Sequence, residues 1–555
     1  MSEKIFIGVA WPYANGPLHL GHIAGAYLPA DIFARYHRLK GNEVLMVSGS
    51  DQHGTPITIK AEQEGKKPEE IANYYHREYL DCWQKLGISF DLYTNTSTDN
   101  HIQVTQEIFL ALLKQGYIYK SSMPQPYCPD CKRYLPDRYV EGTCPYCRSP
   151  GARGDQCDKC GKPLNALELI NPRCRHCGAL PQTIESEHFF LKLTAFEDKL
   201  LPWVKQQNHW RPNVLNFTTR YLEEGLKDRA ITRDIEWGIP VPVPGFEKKR
   251  IYVWFEAVIG YLSASKEWAR STGDAESWRS FWQGDVKSYY FIGKDNIPFH
   301  TIIWPAMLMG YGNLNLPYDV PANEFLTIEG RKLSTSQNWA VWLPDYLSRY
   351  DPDPLRYLLS INMPETNDAD FSWREFFRRN NDELVATFGN LVHRVLTFTY
   401  RNFDGSVPPA GDLDNQSSAL LNQAKTTLQT VDDLLYRCHL KEAIRTAMSL
   451  AQETNRYLDD KSPWKAIKQE RQAAATSLNV AISILSCLRI ALYPFIPGSA
   501  QKLHQFLGFP GNVENDSWQM RSPVPGQKLL PPQPLFTKLD EKLAEEESRR
   551  LNISK

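Results

Sequence analysis

Apolar residues in this chain fall into runs whose spacing changes with position. Residues 5–10 (Ile-Phe-Ile-Gly-Val-Ala) form an unbroken run, the pattern of a buried strand. A Pro/Gly/Asn-rich turn follows at 12–17, then apolar positions at helical spacing over 18–39, then a second apolar run over 43–48 that ends in the polar Gly49-Ser50-Asp51. Strand, crossover helix and strand make the unit of a parallel sheet, whose ligands bind at the carboxyl ends of the strands. Between about 116 and 180 Cys, Pro, Gly and Arg displace that pattern, which predicts an insertion organised by metal rather than by an apolar core. Apolar α/β patterning returns at 251–255 and 289–293, so the insertion splits the sheet. From 373 to 509 the apolar residues stand three and four apart, as in Leu384-Val385, Phe388, Leu391-Val392 and Val395-Leu396, the spacing of a helical bundle. A Pro-rich connection at 530–534 leads to a charged helix over 538–551. The expected units are a first nucleotide-fold half (1–115), the insertion (116–235), the second half (236–325), a loop and connecting region (326–375), the bundle (376–525) and a terminal linker and helix (526–555).

Length agrees with several units, since 555 residues exceed the roughly 250–300 that one core supports. With 42% hydrophobic and 23% charged residues the composition is that of a soluble globular protein. Met1-Ser2-Glu3-Lys4 leads straight into the first strand without a signal-type apolar segment, and no apolar stretch nears a membrane span in length, so a cytoplasmic protein is expected. Lys and Arg (63) nearly balance Asp and Glu (64) for a net charge of −1, so any nucleic acid must be met by a local basic footprint.

Eight of the 11 cysteines form four CxxC pairs: Cys128/Cys131, Cys144/Cys147, Cys157/Cys160 and Cys174/Cys177. Without a secretion signal this favours metal over disulfides, and eight thiolates make two closed tetrahedral zinc sites. The spacing leaves nested and sequential pairing both open. His176 reads as exposed rather than ligating, and Cys82, Cys438 and Cys487 as buried or half-buried.

The densest chemistry lies in residues 12–22, Pro-Tyr-Ala-Asn-Gly-Pro-Leu-His-Leu-Gly-His, directly after the first strand. His19 and His22, three apart, share one face at a helix start, where free N–H groups and partial positive charge suit a triphosphate. Gly21 lacks a Cβ, so an adenine ring has room to lie against the backbone. Far downstream, Arg331-Lys332-Leu333-Ser334-Thr335-Ser336 follows Gly330, a polar loop whose Lys332 suits a leaving pyrophosphate.

The two motifs together resemble the HxGH and KMSKS motifs of the class I aminoacyl-tRNA synthetases. That resemblance implies an α/β fold: a Rossmann-type parallel-sheet catalytic domain split by a zinc-knuckle insertion, followed by an α-helical anticodon-binding bundle. It implies that His19, His22 and Lys332 are catalytic and that Gly21, Asp295, Lys332 and Thr335 bind ATP, with Mg2+ accompanying it. Thr335 stands where the family usually has its second lysine; a hydroxyl cannot replace a mobile cation, so Lys332 or Arg331 is expected to carry more of the load.

Within the family, Val253-Trp254-Phe255-Glu256-Ala257-Val258-Ile259-Gly260-Tyr261, the segment Phe291-Ile292-Gly293-Lys294-Asp295-Asn296-Ile297-Pro298-Phe299-His300 and Ser50-Asp51-Gln52-His53-Gly54-Thr55-Pro56 are similar to the methionine-specific members. By that resemblance Trp11, Tyr13, Asp51, Trp254, Ala257, Tyr261, Phe299 and His300 form a methionine pocket. Aromatic walls suit a polarisable thioether, and Asp51 suits the substrate ammonium. Trp11 and Asn296 stand where some members carry aliphatic residues. The resemblance also implies the nested pairing, with Cys144, Cys147, Cys157 and Cys160 as the inner knuckle and Cys128, Cys131, Cys174 and Cys177 as the outer, which some members lack, so one or two structural zinc ions are expected. On the bundle, Asn390, Arg394 and Trp464 match residues that meet the tRNA anticodon; Ala386 replaces an asparagine often found one turn earlier. Implied partners are ATP, L-methionine and tRNA(Met), with a monomeric protein. The competing readings are a synthetase for another aliphatic amino acid and a tRNA-binding protein that has lost activation.

Overall fold

In a computed structural model, which describes residues 2–154, 157, 159–160, 164–335 and 338–553, five parallel strands build the central sheet. They are β1 (Lys4–Val9), β2 (Glu43–Ser50), β3 (Leu92–Asn95), β4 (Lys287–Gly293) and β5 (Ala322–Asn323), in the spatial order β5-β4-β1-β2-β3. Period-two alternation sets the two faces. Ile5, Ile7, Val9, Met46, Tyr289 and Phe291 pack to one side, and Phe6, Leu45, Val47, Tyr290 and Ile292 to the other. The chain order reverses between β1 and β4, so their carboxyl ends flank the crevice where such sheets bind ligands.

The helical stretch expected over 18–39 is not one regular helix. A short turn, Leu20–His22, passes into a π-helical segment, Ile23–Tyr27, before α1 (Leu28–Leu39). The α/β patterning at 251–255 resolves into both elements: Arg250–Ile251 is strand, and α2 (Val253–Ser271) starts two residues later. Buried apolar runs of this length do not distinguish strand from helix by periodicity.

Between β3 and β4, strands Ile118–Cys128 and Gln182–Leu191 pair antiparallel from Ile118↔Leu191 to Tyr127↔Gln182 and carry the cysteine-rich segment outward. That segment has a small core, in which Cys128, Cys144, Cys157 and Cys174 sit among Leu135, Tyr139, Val140, Ala152, Ala166 and Leu169. So few apolar side chains do not hold a domain alone, which is the physical case for metal there.

After α3 (Pro352–Ile361) the chain turns helical. Its bundle includes α4 (Asn390–Asn402), α5 (Asn415–Tyr436), α6 (Leu440–Lys461) and α7 (Arg471–Leu492). Contrary to the sequence expectation, α7 is by length and composition apolar enough to cross a membrane; 94% of that stretch is buried in the bundle, so it reads as a core helix and no membrane span is indicated. The last helix, α8 (Lys542–Ile553), returns to the catalytic side, where Tyr350 donates to Glu547 (2.9 Å) and Ser548 to Glu329 (3.0 Å).

One buried ionic knot ties α1, α3 and the end of α7 together. Fully buried Arg356 donates to Asp31 Oδ2 (2.7 Å) and to the carbonyls of Pro494 (2.9 Å) and Phe495 (2.8 Å). Arg35 also donates to Asp31 (2.9 Å), and Ser89 donates through both its N–H and its hydroxyl. Burial alone would raise the Asp31 carboxyl, but Arg35 and Arg356 hold it far below the usual carboxylate range. Arg356→Ala leaves this carboxylate and two carbonyls short of a donor in a dry seam. It is expected to cost about 3–5 kcal/mol in urea unfolding.

Candidate active site and metal centres

The crevice is built from the ends of β1, β2 and β4. Just past β1, His19 and His22 form a reciprocal cap: the His22 N–H donates to His19 Nδ1 (3.3 Å) and the His19 N–H to His22 Nδ1 (3.2 Å). The rings stack with centroids 3.7 Å apart. Both Nδ1 atoms are acceptors, so the proton of each neutral ring sits on Nε2, pointing two donors away from the cap. Burial lowers both imidazoles, His22 to about 4, and the His19–His22 proximity lowers His19 further. They are neutral donors at pH 7, the form that binds phosphate oxygens without competing for a proton.

The downstream loop reaches this cap through the backbone. Leu343 N–H donates to Leu18 O (2.7 Å) and Leu20 N–H to Val341 O (3.1 Å), with Trp342 opposite His19. Lys332 is exposed, on a two-residue strand paired with Leu326–Ile328 across a turn at Glu329 (φ 50°) and Gly330 (φ 72°). Arg331 is committed elsewhere, its guanidinium 4.0 Å from the Trp339 ring centre. At Gly21 the close approach is made by protein: a Cβ would meet the His19 ring at 3.0 Å and Leu333 Cδ1 at 3.2 Å. Thr335 is exposed, and Ser336 lies outside the described residues. On the short turn after β4, burial raises the Asp295 carboxyl against the pull of Lys294 and Lys332.

An aromatic box adjoins the cap. Trp254 and Phe299 stack at 4.2 Å, and Tyr13 meets Trp254 edge-on at 6.1 Å. The peptide of Tyr13 bridges to Asp51, and half-buried Ala257 lies on the same helix as Trp254. His300 is buried, with Nδ1 donating to Asn296 O (2.9 Å) and Nε2 accepting the Tyr261 hydroxyl (2.7 Å). Both ring nitrogens are thus occupied, and burial lowers His300 to about 4. Trp11 is wedged between Gly49 and Gly260, edge-on to Tyr261 at 6.5 Å. Asp51 is buried and its carboxyl is raised well above the usual range, first by burial and then by Glu256.

Sequence reasoning missed two features. One is a cavity of about 100 Å³ between the box and the insertion, lined by Tyr13, Trp254, Arg138, Arg233, Trp237 and Tyr252. The other is the buried pair His53–Glu256 (2.9 Å). Glu256 was the detectable signal, a lone acid inside the apolar run 251–262.

In the insertion, the four Sγ atoms of Cys128, Cys131, Cys174 and Cys177 lie within 4.8 Å of one another, as do those of Cys144, Cys147, Cys157 and Cys160. This is the nested pairing. The near Sγ pairs stand at 3.4 Å (Cys128–Cys177), 3.6 Å (Cys147–Cys157), 3.9 Å (Cys144–Cys160) and 4.0 Å (Cys131–Cys174), around the ~3.8 Å edge of a zinc tetrathiolate tetrahedron. Burial opposes the Cys128 and Cys144 thiolates, but peptide N–H and neighbouring thiol donors lower both, while their cluster partners Cys131 and Cys147 are pushed up. The donor sets fit zinc. His176 is exposed, and Cys82, Cys438 and Cys487 are buried.

The family model for "tRNA synthetases class I (M)" matches residues 5–396, and the model for the "Anticodon binding domain of methionyl tRNA ligase" matches 407–554. The chain belongs to the class I tRNA synthetases of the methionine type. It is 64% identical to the methionine–tRNA ligase of Dehalococcoides mccartyi strain CBDB1 over 100% of both chains. To the enzyme of Thermomicrobium roseum it is 54% identical over 99% of each. The Mycobacterium tuberculosis methionyl-tRNA synthetase bound by methionyl-adenylate superposes with a TM-score of 0.81 at 25% identity, covering 96% of this chain and 100% of that one.

The second family model falls on the synthetase's helical part from residue 407 and so includes Trp464, while Asn390 and Arg394 lie at the end of the first. On α4, exposed Asn390 stands one turn before Arg394. The Arg394 guanidinium lies 4.6 Å from the Trp464 ring centre and donates to Asn455 (3.2 Å). Trp464 follows Pro463 after a left-handed Ser462 (φ 40°), so the break after α6 turns it toward Arg394. The structure therefore brings Arg394 and Trp464 together, with Asn390 beside them.

Proposed function

We propose that this chain is a methionine–tRNA ligase that activates L-methionine with ATP and transfers it to the 3′ end of tRNA(Met) for initiation and elongation. The observation that carries the reading is the backbone pairing of residues 18–20 with 341–343, which joins the His19/His22 cap to the Lys332 loop beside the aromatic box. In this reading the Nε2–H groups of His19 and His22 hold ATP phosphate oxygens while charge grows on them, and Lys332 closes on the pyrophosphate. Asp295 holds the ribose hydroxyls, with Gly21 and Thr335 on the ATP side. The ammonium of methionine rests on Asp51 and its thioether lies among Trp11, Tyr13, Trp254, Ala257, Tyr261, Phe299 and His300. The methionine carboxylate attacks the α-phosphorus and pyrophosphate, with its Mg2+, leaves. A ribose hydroxyl of the terminal tRNA nucleotide then attacks the adenylate carbonyl and AMP departs. Each cysteine cluster holds one structural zinc, and Asn390, Arg394 and Trp464 receive unstacked anticodon bases. The division into units given above stands as part of this reading, as does a monomer working in the cytoplasm.

Amino-acid-dependent ATP–pyrophosphate exchange tests it, with methionine against isoleucine, leucine, valine and cysteine. Exchange with methionine at a kcat/KM at least ~100-fold above the others is expected. Exchange led by a different amino acid overturns the pocket, and none with any amino acid overturns the activity.

A further inference from the structure

Helix α2 supplies Trp254 and Tyr261 to the aromatic box, yet between them it buries a carboxylate. Glu256 is fully buried, and both its oxygens contact His53 Nδ1, at 2.9 and 3.0 Å. An imidazole facing a carboxylate through Nδ1 donates there, which fixes the ring; its Nε2 meets Ser97 Oγ at 3.3 Å. The His53 peptide N–H donates to Asp51 Oδ1 (3.2 Å), the one hydrogen bond on that carboxylate among the described residues.

The backbone around Asp51 is held at each neighbouring position. Asp51 N–H donates to Pro12 O (2.8 Å), Ala14 N–H to Asp51 O (2.8 Å), Gln52 N–H to Thr96 Oγ1 (2.9 Å) and the Trp237 indole to Gln52 O (2.7 Å). What is left to set is the side chain. Its first oxygen is held by His53, and among the described residues no lysine or arginine is paired with Asp51 or with Glu256. Two buried carboxyl groups beside one imidazole, with no lysine or arginine on either among the described residues, leave a place for a substrate ammonium.

We propose that Glu256 and His53 are positioning residues for the amino-acid substrate: Glu256 locks the His53 ring, and the His53 peptide N–H holds one Asp51 oxygen so that the other receives the substrate ammonium. The pair also ties the end of β2 to α2, so the ammonium site and the aromatic wall keep their spacing. The inference rests on the proposed methionine pocket and adds a second layer behind Asp51 to it.

Two inhibitors that differ only in the ammonium provide the test: methioninol and 4-(methylsulfanyl)butan-1-ol, each competed against methionine in pyrophosphate exchange. In the unaltered protein methioninol binds more tightly. Glu256→Leu is expected to weaken methioninol about tenfold, the worth of one charge-assisted hydrogen bond, and to leave the deaminated alcohol within about twofold. Glu256→Gln keeps an acceptor for Nδ1–H and is expected to recover most of the loss. Partial misfolding lowers the active fraction without changing the ratio of the two inhibition constants, so the ratio is the readout. Equal weakening of both inhibitors in Glu256→Leu, or no change in either, overturns the proposal. Asp51→Asn is measured alongside. If it leaves the preference for methioninol intact, the ammonium is bound elsewhere and the pocket assignment itself fails; if it removes the preference while Glu256→Leu does not, only the positioning pair fails.

Discussion

Lys332→Ala is expected to lower methionine-dependent pyrophosphate exchange by about 10²–10³-fold, the usual cost of removing one preorganised charge partner from a transition state. Methionine binding measured without ATP should be unchanged, because Lys332 contacts no part of the aromatic box. The loop explains why the loss is large. Thr335 offers no second cation. Arg331, the other candidate, is stacked on Trp339, whose indole donates to Ile328 O (3.1 Å). Lys332 is exposed, makes no salt bridge among the described residues and has only a longer ring contact, 5.6 Å to the Phe325 centre, so it moves at less cost than Arg331 when the loop closes. Arg331→Ala should therefore cost less than about tenfold, and single-turnover adenylate formation separates the two variants. Equal losses would mean that the arginine leaves its stack to share the phosphate charge.

Metal removal is the second large effect. Two zinc ions per chain are expected by elemental analysis, falling to one in Cys144→Ala. A structural zinc contributes on the order of 10 kcal/mol to the unit it closes, far more than the small cysteine-lined core provides. Chelation should unfold the insertion, read as new protease cleavage within residues 118–191. The active site should feel it. Tyr139 donates to Thr58 (3.0 Å) and Arg133 pairs with Glu62 (3.3 Å), which lean the insertion on helix Thr55–Glu64, just beyond His53. A raised KM for methionine with a smaller change in kcat is the expected signature of the stripped protein.

The features legible in the sequence were local ones. The strand before the HxGH turn, the four CxxC pairs and the Arg331–Lys332 loop each declare themselves within a dozen residues. Nested cysteine pairing was not readable from spacing, since both pairings close loops of reasonable length; geometry decides it, with the sulfurs of Cys128 and Cys177 meeting 49 residues apart. The π-helical segments Ile23–Tyr27 and Phe299–Ile303 left no mark in the hydrophobic spacing, yet they follow His22 and contain His300, as insertions of this kind often do near working residues. His53–Glu256 spans 203 residues, and a pair at that separation cannot be read from one sequence. Helix α7 was misjudged because its apolar run is broken by Thr476, Ser477, Ser483 and Ser486, which the bundle buries as well.

The wedge at Trp11 bears on how the proposed methionine pocket can change over generations. A Cβ on Gly49 would lie 2.3 Å from the indole and 2.5 Å from the Thr94 carbonyl; one on Gly260 would lie 2.7 Å from the indole. While the tryptophan stands, neither glycine has a viable single-step neighbour among the other amino acids. If the tryptophan shrinks first, it leaves a void that costs about 24 cal/mol per Å³ until something fills it. Trp11 and Gly260 are therefore inherited together, and a lineage that abandons the indole must cross a less stable ancestor before Gly260 is free to vary, while the Thr94 carbonyl keeps position 49 a glycine throughout.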